Sequence, residues 1–359
     1  MAPLLAAARR LKSKPHASGR ALGLLMAAYG LVLAVITAVN QIGAEHWWLG
    51  ALNLYLPQAL WATPALLLFG LAILADRRWI WCPVLYLAWV LGPIMGLRWS
   101  ARTPPRPQAR PALRVMTCNI KYGLRDSAEL FQDIARFRPD LVLLQDADGY
   151  MQGSLASRFR HWNVRATGQF VIASRLPLGP AEMRWVDTPS GRHSFYRCPM
   201  RVGGVTVTLF DVHFQSPRDG LNAFRAKPSG HWQPLDGIQE LERNAAVRLD
   251  QARALRQLVR AEPGPVLVAG DLNSPDPSRV CSTLRSAGLG DAFNAGGRGY
   301  GYTYGHFLLQ HRLPWIHLSW MRLDHLMTSA ALPAGPCWVG TDKASDHRPV
   351  LADLYLQRP

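Results

Sequence analysis

Several apolar runs in the second part of this sequence end in an acid, an amide or a histidine. In LVLLQDADGY, residues 141–150, the apolar run stops at Gln145, and the carboxylates Asp146 and Asp148 follow. The run ends that share this feature are Asn119, Gln145–Asp146, His213, Asp271–Asn273, Asp324 and Asp346–His347. Each alone is typical of a turn, but loops at strand ends are where sheet proteins gather catalytic groups. Six such ends together predict one functional site.

These residue types could hold a hard metal ion together with a water molecule. Mg²⁺ takes oxygen ligands, and one or two carboxylates with water complete its shell. An imidazole can accept a proton from that water near neutral pH. A single histidine such as His213 is more often a core or surface residue than a catalytic one, so the prediction rests on the whole set.

Strand-like runs and two amphipathic helices would position these groups. The predicted strands are LRVMTCNI, LVLLQ, GQFVIASRLPL, GVTVTLFDVHF, VLVAGDLN, MRLDHLMTS and RPVLADLYL. Apolar residues at helical spacing predict a helix at 127–137, with Asp126 or Ser127 as its N-cap, and a longer helix at 241–262. Many strands in two helix-bearing halves indicate an α/β (α+β) fold with two packed sheets flanked by helices. About 250 residues are enough for such a core.

The order and spelling of the motifs carry a resemblance to a known family. TCNI, LLQD, DVHF, AGDLNSP, GYTYG, RLDHLMTS and ASDHRPV occur in this order across residues 117–350. In this combination the sequence resembles the endonuclease/exonuclease/phosphatase superfamily, and specifically its membrane-anchored bacterial members. The resemblance implies a four-layered α/β/β/α sandwich with the site between the sheet edges. It also implies hydrolysis of phosphodiesters or phosphomonoesters with Mg²⁺ or Mn²⁺.

The resemblance further implies a role for each site residue. The implied metal ligands are Asn119, Asp146 and Asp346. The implied catalytic residues are His347, Asp324, Asp271, Asn273 and His213. Among these, His347 would be the general base and Asp324 would orient it, while Asp271 would orient the attacking water. Asn273 and His213 would hydrogen-bond phosphate oxygens in the transition state. His325, next in a strand to Asp324, points to the opposite face and is expected to pack in the core.

Asp146 is where this sequence departs from the family pattern. The corresponding strand in the family ends in Gln–Glu, whereas here it ends in Gln145–Asp146. Aspartate keeps the carboxylate but is one methylene shorter, a reach about 1.5 Å less. We expect Asp146 to be the ligand, with Asp148 as an alternative because it lies on the same face two residues on.

Three uncharged stretches precede this region and predict transmembrane helices near 21–40, 56–75 and 79–97. They hold 24 residues after Arg20, 30 after Glu45 and 19 after Arg78, and about 20 apolar residues cross a bilayer. His46 to Tyr55 would lie in the interface, where tryptophan and tyrosine are common. The alternative is one cleaved signal peptide followed by buried helices of a soluble protein.

Basic residues predict the orientation in a bacterial-type cytoplasmic (inner) membrane. The N-terminal tail and the loop at 77–78 are basic, whereas the loop after the first helix has no Lys or Arg. The positive-inside rule therefore places the N-terminus in the cytoplasm. Three crossings would put the catalytic domain outside. The arginines at 98, 102, 106 and 110 argue against this orientation.

The predicted domains are a membrane domain at 1–98, a Pro/Arg-rich linker at 99–112 and a catalytic domain at 113–359. With 32 basic and 22 acidic residues, the part after residue 98 carries a net charge of +10. This balance favours anionic partners such as phosphorylated lipids or nucleic acid, although arginine richness can also reflect genomic base composition. The five cysteines show no metal-type spacing, and which of them might pair stays open.

The leading hypothesis is a membrane-tethered, metal-dependent phosphohydrolase that acts on a lipid-linked phosphoester. A nuclease and an inactive membrane-bound scaffold are the alternatives. The apolar segment 307–320 could form a lip that contacts the membrane or an acyl or prenyl chain, or it could be an ordinary strand and loop. The loop 215–238, with Arg218, Arg225, Lys227 and His231, could border the cleft or be a solvated insertion.

Overall fold

The computed structural model describes residues 15–100, 111–123, 127–148, 154–222, 234–310 and 313–357. Most of the predicted linker, residues 101–110, lies outside these ranges, as do Asp126 and the stretch 223–233 with Arg225, Lys227 and His231. The chain forms two compact units. The first comprises Met1–Ile42 and Leu56–Leu97, and the second comprises Gly43–Tyr55 and Arg98–Pro359.

Helices make up the N-terminal quarter of the described chain. They are α1 (Pro15–Ile42), α2 (Trp48–Tyr55), α3 (Ala62–Ala75) and α4 (Trp81–Trp89), with 3₁₀ turns at Gln58–Trp61 and Arg77–Trp79. In the first unit, α1 packs on α3 and α4 through residues such as Met26, Leu33 and Ala65. Many of its other apolar side chains face outwards. Leu24 is 73% exposed and Leu74 is 85% exposed.

Two segments of the first unit are long and apolar enough to cross a membrane, Gly19–Ile42 and Gln58–Ala75. They coincide with the first two predicted spans. The third predicted span, near 79–97, is not confirmed, because α4 ends at Trp89 and a π-helical turn with Pro93 inside follows at Val90–Ile94. The run 81–94 is about 21 Å long at 1.5 Å per residue, so it can reach across the roughly 30 Å hydrocarbon core only together with the residues that flank it.

Two six-stranded sheets form the centre of the second unit. The strands are β1 (Arg98–Trp99), β2 (Leu113–Asn119), β3 (Leu141–Gln145), β4 (Asn163–Thr167), β5 (Phe170–Ser174), β6 (Glu182–Thr188), β7 (Gly191–Val202), β8 (Val205–His213), β9 (Val266–Asp271), β10 (Leu289–Asp291), β11 (Arg298–Gly299), β12 (Asp324–Ser329), β13 (Ala334–Val339) and β14 (Val350–Leu354). The first sheet has the order β13-β14-β2-β3-β5-β4, and the second has the order β10-β12-β9-β8-β7-β6. β1 and β11 form a separate pair.

The two sheets pack face to face, and helices cover their outer faces. The helices of this part are α5 (Ser127–Phe137), α6 (Ser154–Arg158), α7 (Arg218–Asn222), α8 (Pro234–Ala261), α9 (Arg279–Arg285), α10 (Ala292–Gly296) and α11 (His306–Gln310). One apolar cluster joins the inner faces through side chains such as Leu143 and Leu209. Leu130 of α5 packs on the outside of the first sheet, and Leu255 of α8 packs on the outside of the second. The predicted four-layered α/β/β/α sandwich is confirmed.

Strand pairing brings the polar run ends together. β2 and β3 run parallel with Asn119 opposite Gln145, and β8 and β9 run parallel with His213 opposite Asp271. β12 is antiparallel to β9, so its first residue, Asp324, also lies opposite Asp271. The carboxyl ends of parallel strands meet at one edge of a sheet. The predicted site residues therefore gather at one edge of each sheet.

The segment Gly43–Tyr55 packs with the part of the chain that follows residue 98. It precedes residue 98, and its aromatic residues suggested a position in the membrane interface. In the structure it belongs to the same compact unit as Arg98–Pro359, and its helix α2 packs on α8. The predicted boundary of a membrane domain at residue 98 is untested and stays a prediction.

Candidate active site

A cleft of about 510 Å³ lies where the two sheet edges meet. Seven of the eight predicted site residues line it: Asn119, Asp146, His213, Asp271, Asn273, Asp346 and His347. The eighth, Asp324, is fully buried against His347. Residues distant by more than 200 positions in the sequence thus form one polar cluster.

His347 is held between two carboxylates. Its Nδ1 lies 2.8 Å from Oδ2 of Asp324, and its Nε2 lies 3.7 Å from Oδ2 of Asp271. Burial by itself lowers the pKa of His347, but the negative charges of Asp324 and Asp271 outweigh it and raise that pKa to about 10. The bond to Asp324 fixes the ring so that Nε2 faces Asp271.

Asp146 and His213 form a second acid–imidazole pair. Nδ1 of His213 lies 3.3 Å from Oδ1 of Asp146 and 2.6 Å from Oε1 of Gln169. Burial raises the pKa of Asp146, yet the hydrogen bond from His213 and a further one from Asn119 leave it below its ordinary value. Asp146 has a φ of 49°, a left-handed conformation that aspartate tolerates better than most residues.

Asp346 is paired with a cation from the β2 edge. Nζ of Lys121 lies 2.5 Å from Oδ2 of Asp346 and 4.5 Å from the ring centre of Phe307. The backbone N–H of Lys121 donates to Oδ1 of Asn119 at 2.9 Å, while Nδ2 of Asn119 donates to Asp271 at 3.1 Å. Asn119 therefore bridges the two sheet edges.

The turn after β9 presents Asp271 and Asn273. A side chain at Gly270 would lie 2.0 Å from the carbonyl oxygen of Val212, and its φ is 140°, so only glycine fits between β8 and β9 there. Asn273 has a φ of 48°. Its backbone N–H donates to Oδ1 of Asp271 at 2.8 Å, and its Nδ2 donates to the carbonyl of Phe214 at 2.9 Å. The glycine and the two bonds fix both polar residues.

Oxygen donors dominate the cleft, which fits a hard divalent cation. Asp271, Asp324 and His347 present ligand atoms within 4.8 Å of one another, so this trio could hold a metal ion. Oδ1 of Asp324 is buried without a hydrogen-bond partner among the described residues. The predicted ligands Asn119, Asp146 and Asp346 line the same cleft.

Residues 116–347 match the endonuclease/exonuclease/phosphatase family. The chain belongs to this family.

Several solved structures are similar to this chain. Humanized D. rerio TDP2 is 17% identical, with 67% of this chain and 98% of that chain covered and a TM-score of 0.49. The endonuclease/exonuclease/phosphatase from Beutenbergia cavernae is 19% identical over 68% and 71%, with a TM-score of 0.46. The 3'-5' exonuclease NExo from Neisseria meningitidis is 19% identical over 68% and 100%, with a TM-score of 0.47. No curated protein matches the chain.

In this endonuclease/exonuclease/phosphatase family member, some contacts of the predicted site residues were not expected from the sequence. Lys121 contacts Asp346, and Gln169 contacts His213. Tyr55 contacts the backbone of Asn273.

Lys121 follows Asn119 by two residues and could have been found from that spacing. No local signal marks Gln169 or Tyr55, because tertiary packing alone brings them to these partners.

Two residues noted in the sequence also reach the cleft. The ring of Tyr304 lies 4.7 Å from the ring of His347, and Arg218 hydrogen-bonds to Tyr304. The alternative metal ligand, Asp148, is exposed and is not among the residues lining the cleft.

His325 lies behind the cleft, on the face opposite to Asp324. It is buried, with Nδ1 2.9 Å from Asp291 and Nε2 3.0 Å from the carbonyl of Ser274. Arg322 donates to the same Asp291 at 2.7 Å.

The five cysteines lie among the described residues and all are free, so these residues contain no disulfide bond.

Proposed function

We propose that this chain is a membrane-tethered, metal-dependent phosphoester hydrolase acting on a lipid-linked or other membrane-associated phosphoester. One observation carries the catalytic part of the proposal. A single cleft joins the His347–Asp324 pair to the oxygen donors of Asn119, Asp146, Asp271 and Asp346. That combination supplies a base and a cation site for one anionic substrate.

His347 acts as the general base. Asp324 accepts a hydrogen bond from Nδ1–H of His347, which leaves Nε2 to take a proton from the attacking water. Asp271, 3.7 Å from Nε2 of both His347 and His213, orients that water. His213 and Asn273 bind phosphate oxygens as negative charge develops. Mg²⁺ or Mn²⁺ on the carboxylates would neutralise the phosphate oxygens and oppose the field that raises the pKa of His347.

The walls of the cleft support a substrate that carries both charge and an apolar part. Two cationic side chains, Lys121 and Arg218, line it in addition to the histidines, which suits an anionic headgroup. The apolar lining residues are Leu221, Leu308, Trp320, Met321 and Leu323. Such a wall would receive the alkyl part of a lipid phosphate.

The lip, residues 307–320, extends the apolar wall outwards. Leu308 and Trp320 line the cleft, whereas Trp315 is 73% exposed and Leu318 is 59% exposed. Large exposed apolar side chains close together in sequence are typical of surfaces that meet a membrane or a lipid. The lip therefore supports a substrate at a membrane surface.

The second compact unit, Gly43–Tyr55 with Arg98–Pro359, holds the cleft and is named the catalytic unit. The order of the segments along the chain supports an extracytoplasmic position for it. If Gly19–Ile42 and Gln58–Ala75 both cross, the loop between them lies on the side opposite to the N-terminus. That loop, Gly43–Tyr55, is part of the same compact unit as Arg98–Pro359. The chain between Ala75 and Arg98 must then cross once more. A basic N-terminal tail favours the cytoplasm, so the catalytic unit would lie outside.

A nuclease is the second candidate, because the residues after 98 carry a net charge of +10. Positive charge favours the binding of nucleic acid, but it favours the binding of anionic lipid phosphates equally. An inactive scaffold would keep the cleft without turnover.

Full-length protein in detergent micelles, supplied with Mg²⁺ or Mn²⁺, tests the proposal. The substrates are bis-p-nitrophenyl phosphate, plasmid DNA, and phospholipid and polyprenyl phosphates in vesicles. We expect hydrolysis of the model diester and of a lipid phosphate. His347→Ala should lower both rates at least about a hundredfold, since general-base catalysis contributes that much. Exposed His161, replaced by alanine, is the matched control.

Three other outcomes would contradict parts of this proposal. Cleavage of DNA without turnover of lipid phosphate favours the nuclease. Metal binding by calorimetry without hydrolysis of any substrate favours the scaffold. Full activity of His347→Ala contradicts the role of His347.

A further inference from the structure

The segment Gly43–Tyr55, between the two apolar stretches, is built into the catalytic unit. Its first residue has a φ of +63°, and a side chain there would lie 2.3 Å from Cγ of Arg279, so glycine is required for this close approach. The carboxylate of Glu45 accepts a hydrogen bond from the backbone N–H of Arg279, the first residue of α9. The backbone N–H of Trp48 donates to Glu242 of α8 at 3.1 Å. The segment is therefore anchored on two helices.

The end of this segment forms a wall of the cleft. Tyr55 is 6% exposed, and the guanidinium of Arg248 lies 5.6 Å from its ring centre. Nε1 of Trp320 donates to the Tyr55 carbonyl at 3.3 Å. Tyr55 also packs with Tyr304 and Leu323, which line the cleft. Cation, aromatic and backbone contacts thus fix the Tyr55 ring.

The hydroxyl of Tyr55 reaches the turn that carries the catalytic groups. Its Oη donates to the backbone carbonyl of Asn273 at 2.8 Å, and it also hydrogen-bonds to Ser274. Asn273 in turn holds Asp271 through its own N–H. A left-handed residue needs such surrounding bonds to keep its conformation.

We infer that Tyr55 is a positioning residue for the phosphoester hydrolysis proposed above, acting through Asn273. The catalytic unit is then discontinuous in sequence. Tyr55, which lies between the two apolar stretches, completes a cleft whose other lining residues follow residue 98. The inference rests on the proposed function for its kinetic consequence, but the docking of the segment does not depend on activity.

Tyr55→Phe in the full-length protein tests the inference, because it removes only the hydroxyl. We expect kcat for bis-p-nitrophenyl phosphate to fall about tenfold with little change in KM, since small displacements of catalytic groups reduce turnover. Hydrogen exchange should quicken in peptides covering 271–275. Tyr86→Phe is the matched control, because its hydroxyl also donates to a backbone carbonyl, that of Met26, at 2.8 Å in the other unit.

A double-mutant cycle separates positioning from general stabilisation. In an Asn273→Ala background, Tyr55→Phe should cause a smaller further loss of kcat than in the wild type, because one of the two side chains on the turn that it positions is absent. Additive losses, unchanged kinetics with unchanged exchange, or faster exchange throughout the unit would each overturn the inference. If the wild-type protein hydrolyses nothing, the proposed function fails, while the exchange at 271–275 still reports whether Tyr55 holds the turn.

Discussion

Asp146 combines an unusual residue type with an unusual backbone conformation. The family pattern has glutamate at this position, and here the shorter acid adopts a left-handed φ of 49°. Its carboxylate still reaches the cleft and lies 3.3 Å from Nδ1 of His213. A strained backbone at a lining residue is typical of functional sites.

Asp146→Asn should weaken metal binding without unfolding the protein. Asparagine keeps the size and tolerates the left-handed conformation, but it loses the charge that a divalent cation needs. We expect at least about a tenfold increase in the Kd for Mn²⁺, the scale of losses seen when metal sites are altered. Isothermal titration calorimetry on the full-length protein measures it. Asp148→Asn, two residues on and exposed, should bind as the wild type does; equal affinities for all three proteins would contradict Asp146 as a ligand.

At the scale of elements, a buried polar contact joins β3 of the first sheet to β8 of the second. Nε2 of Gln145 donates to Oδ1 of Asp211 at 2.6 Å and also contacts Oγ1 of Thr117 at 3.1 Å. Oδ2 of Asp211 has no partner among the described residues. Burial raises the pKa of Asp211 well above its ordinary value. The carboxyl therefore keeps a proton that the unfolded chain releases.

Asp211→Asn should stabilise the protein increasingly as pH rises. The raised folded pKa means that the native state binds a proton that the unfolded state loses above about pH 4, so wild-type stability falls by about 1.4 kcal/mol per pH unit until the folded pKa is reached. Asparagine does not titrate and escapes this penalty. Tm measured at pH 5, 6 and 7 should show a growing advantage of Asp211→Asn. Asp187→Asn, at an 87% exposed side chain, is the control, and a constant Tm difference would disprove the assignment.

The lip, residues 307–320, should govern the use of lipid substrates. Replacing both Trp315 and Leu318 with serine removes exposed apolar area worth about 25 cal/mol per Å² on transfer from water. We expect KM for a vesicle-borne lipid phosphate to rise about tenfold, while turnover of bis-p-nitrophenyl phosphate changes less than about twofold. Trp185→Ser, on β6 and 54% exposed, is the matched control. Equal losses on both substrates would argue for a structural role of the lip.

For the whole molecule, the grouping of Gly43–Tyr55 with Arg98–Pro359 bears on the proposed membrane topology. If both apolar segments before residue 76 cross a membrane, the loop between them and the residues after 98 share one side only when the chain crosses a third time before residue 98. We therefore expect a C-terminal alkaline phosphatase fusion to be active and a C-terminal green fluorescent protein fusion to be dark. An N-terminal fluorescent fusion should be bright. A bright C-terminal fusion would mean an even number of crossings and a cytoplasmic catalytic unit.

The sequence by itself determined seven strands, the two main helices and the polar residues at the strand ends. The predicted strands are β2, β3, β5, β8, β9, β12 and β14, whereas β4, β6, β7, β10 and β13 were not predicted. Period-two and apolar patterns specify strands locally, and the bounds of β2 and β3 match the predicted runs. The motifs AGDLNSP and ASDHRPV identified the family. Such motifs can be recognised in the sequence because their structural requirements are local; at Gly270, for example, only glycine fits between β8 and β9.

Only the tertiary structure decided which distant groups meet. Tyr55 contacts Asn273, 218 positions away, and the sequence pattern around Tyr55 favoured a membrane interface. Gln169 reaches His213 through sheet packing, which no local pattern encodes. The apolar run at 79–97 looked continuous, yet its helix is interrupted before Pro93. The chemistry of each side chain is given by the sequence at that position. Which distant side chains come into contact depends on how the whole chain packs.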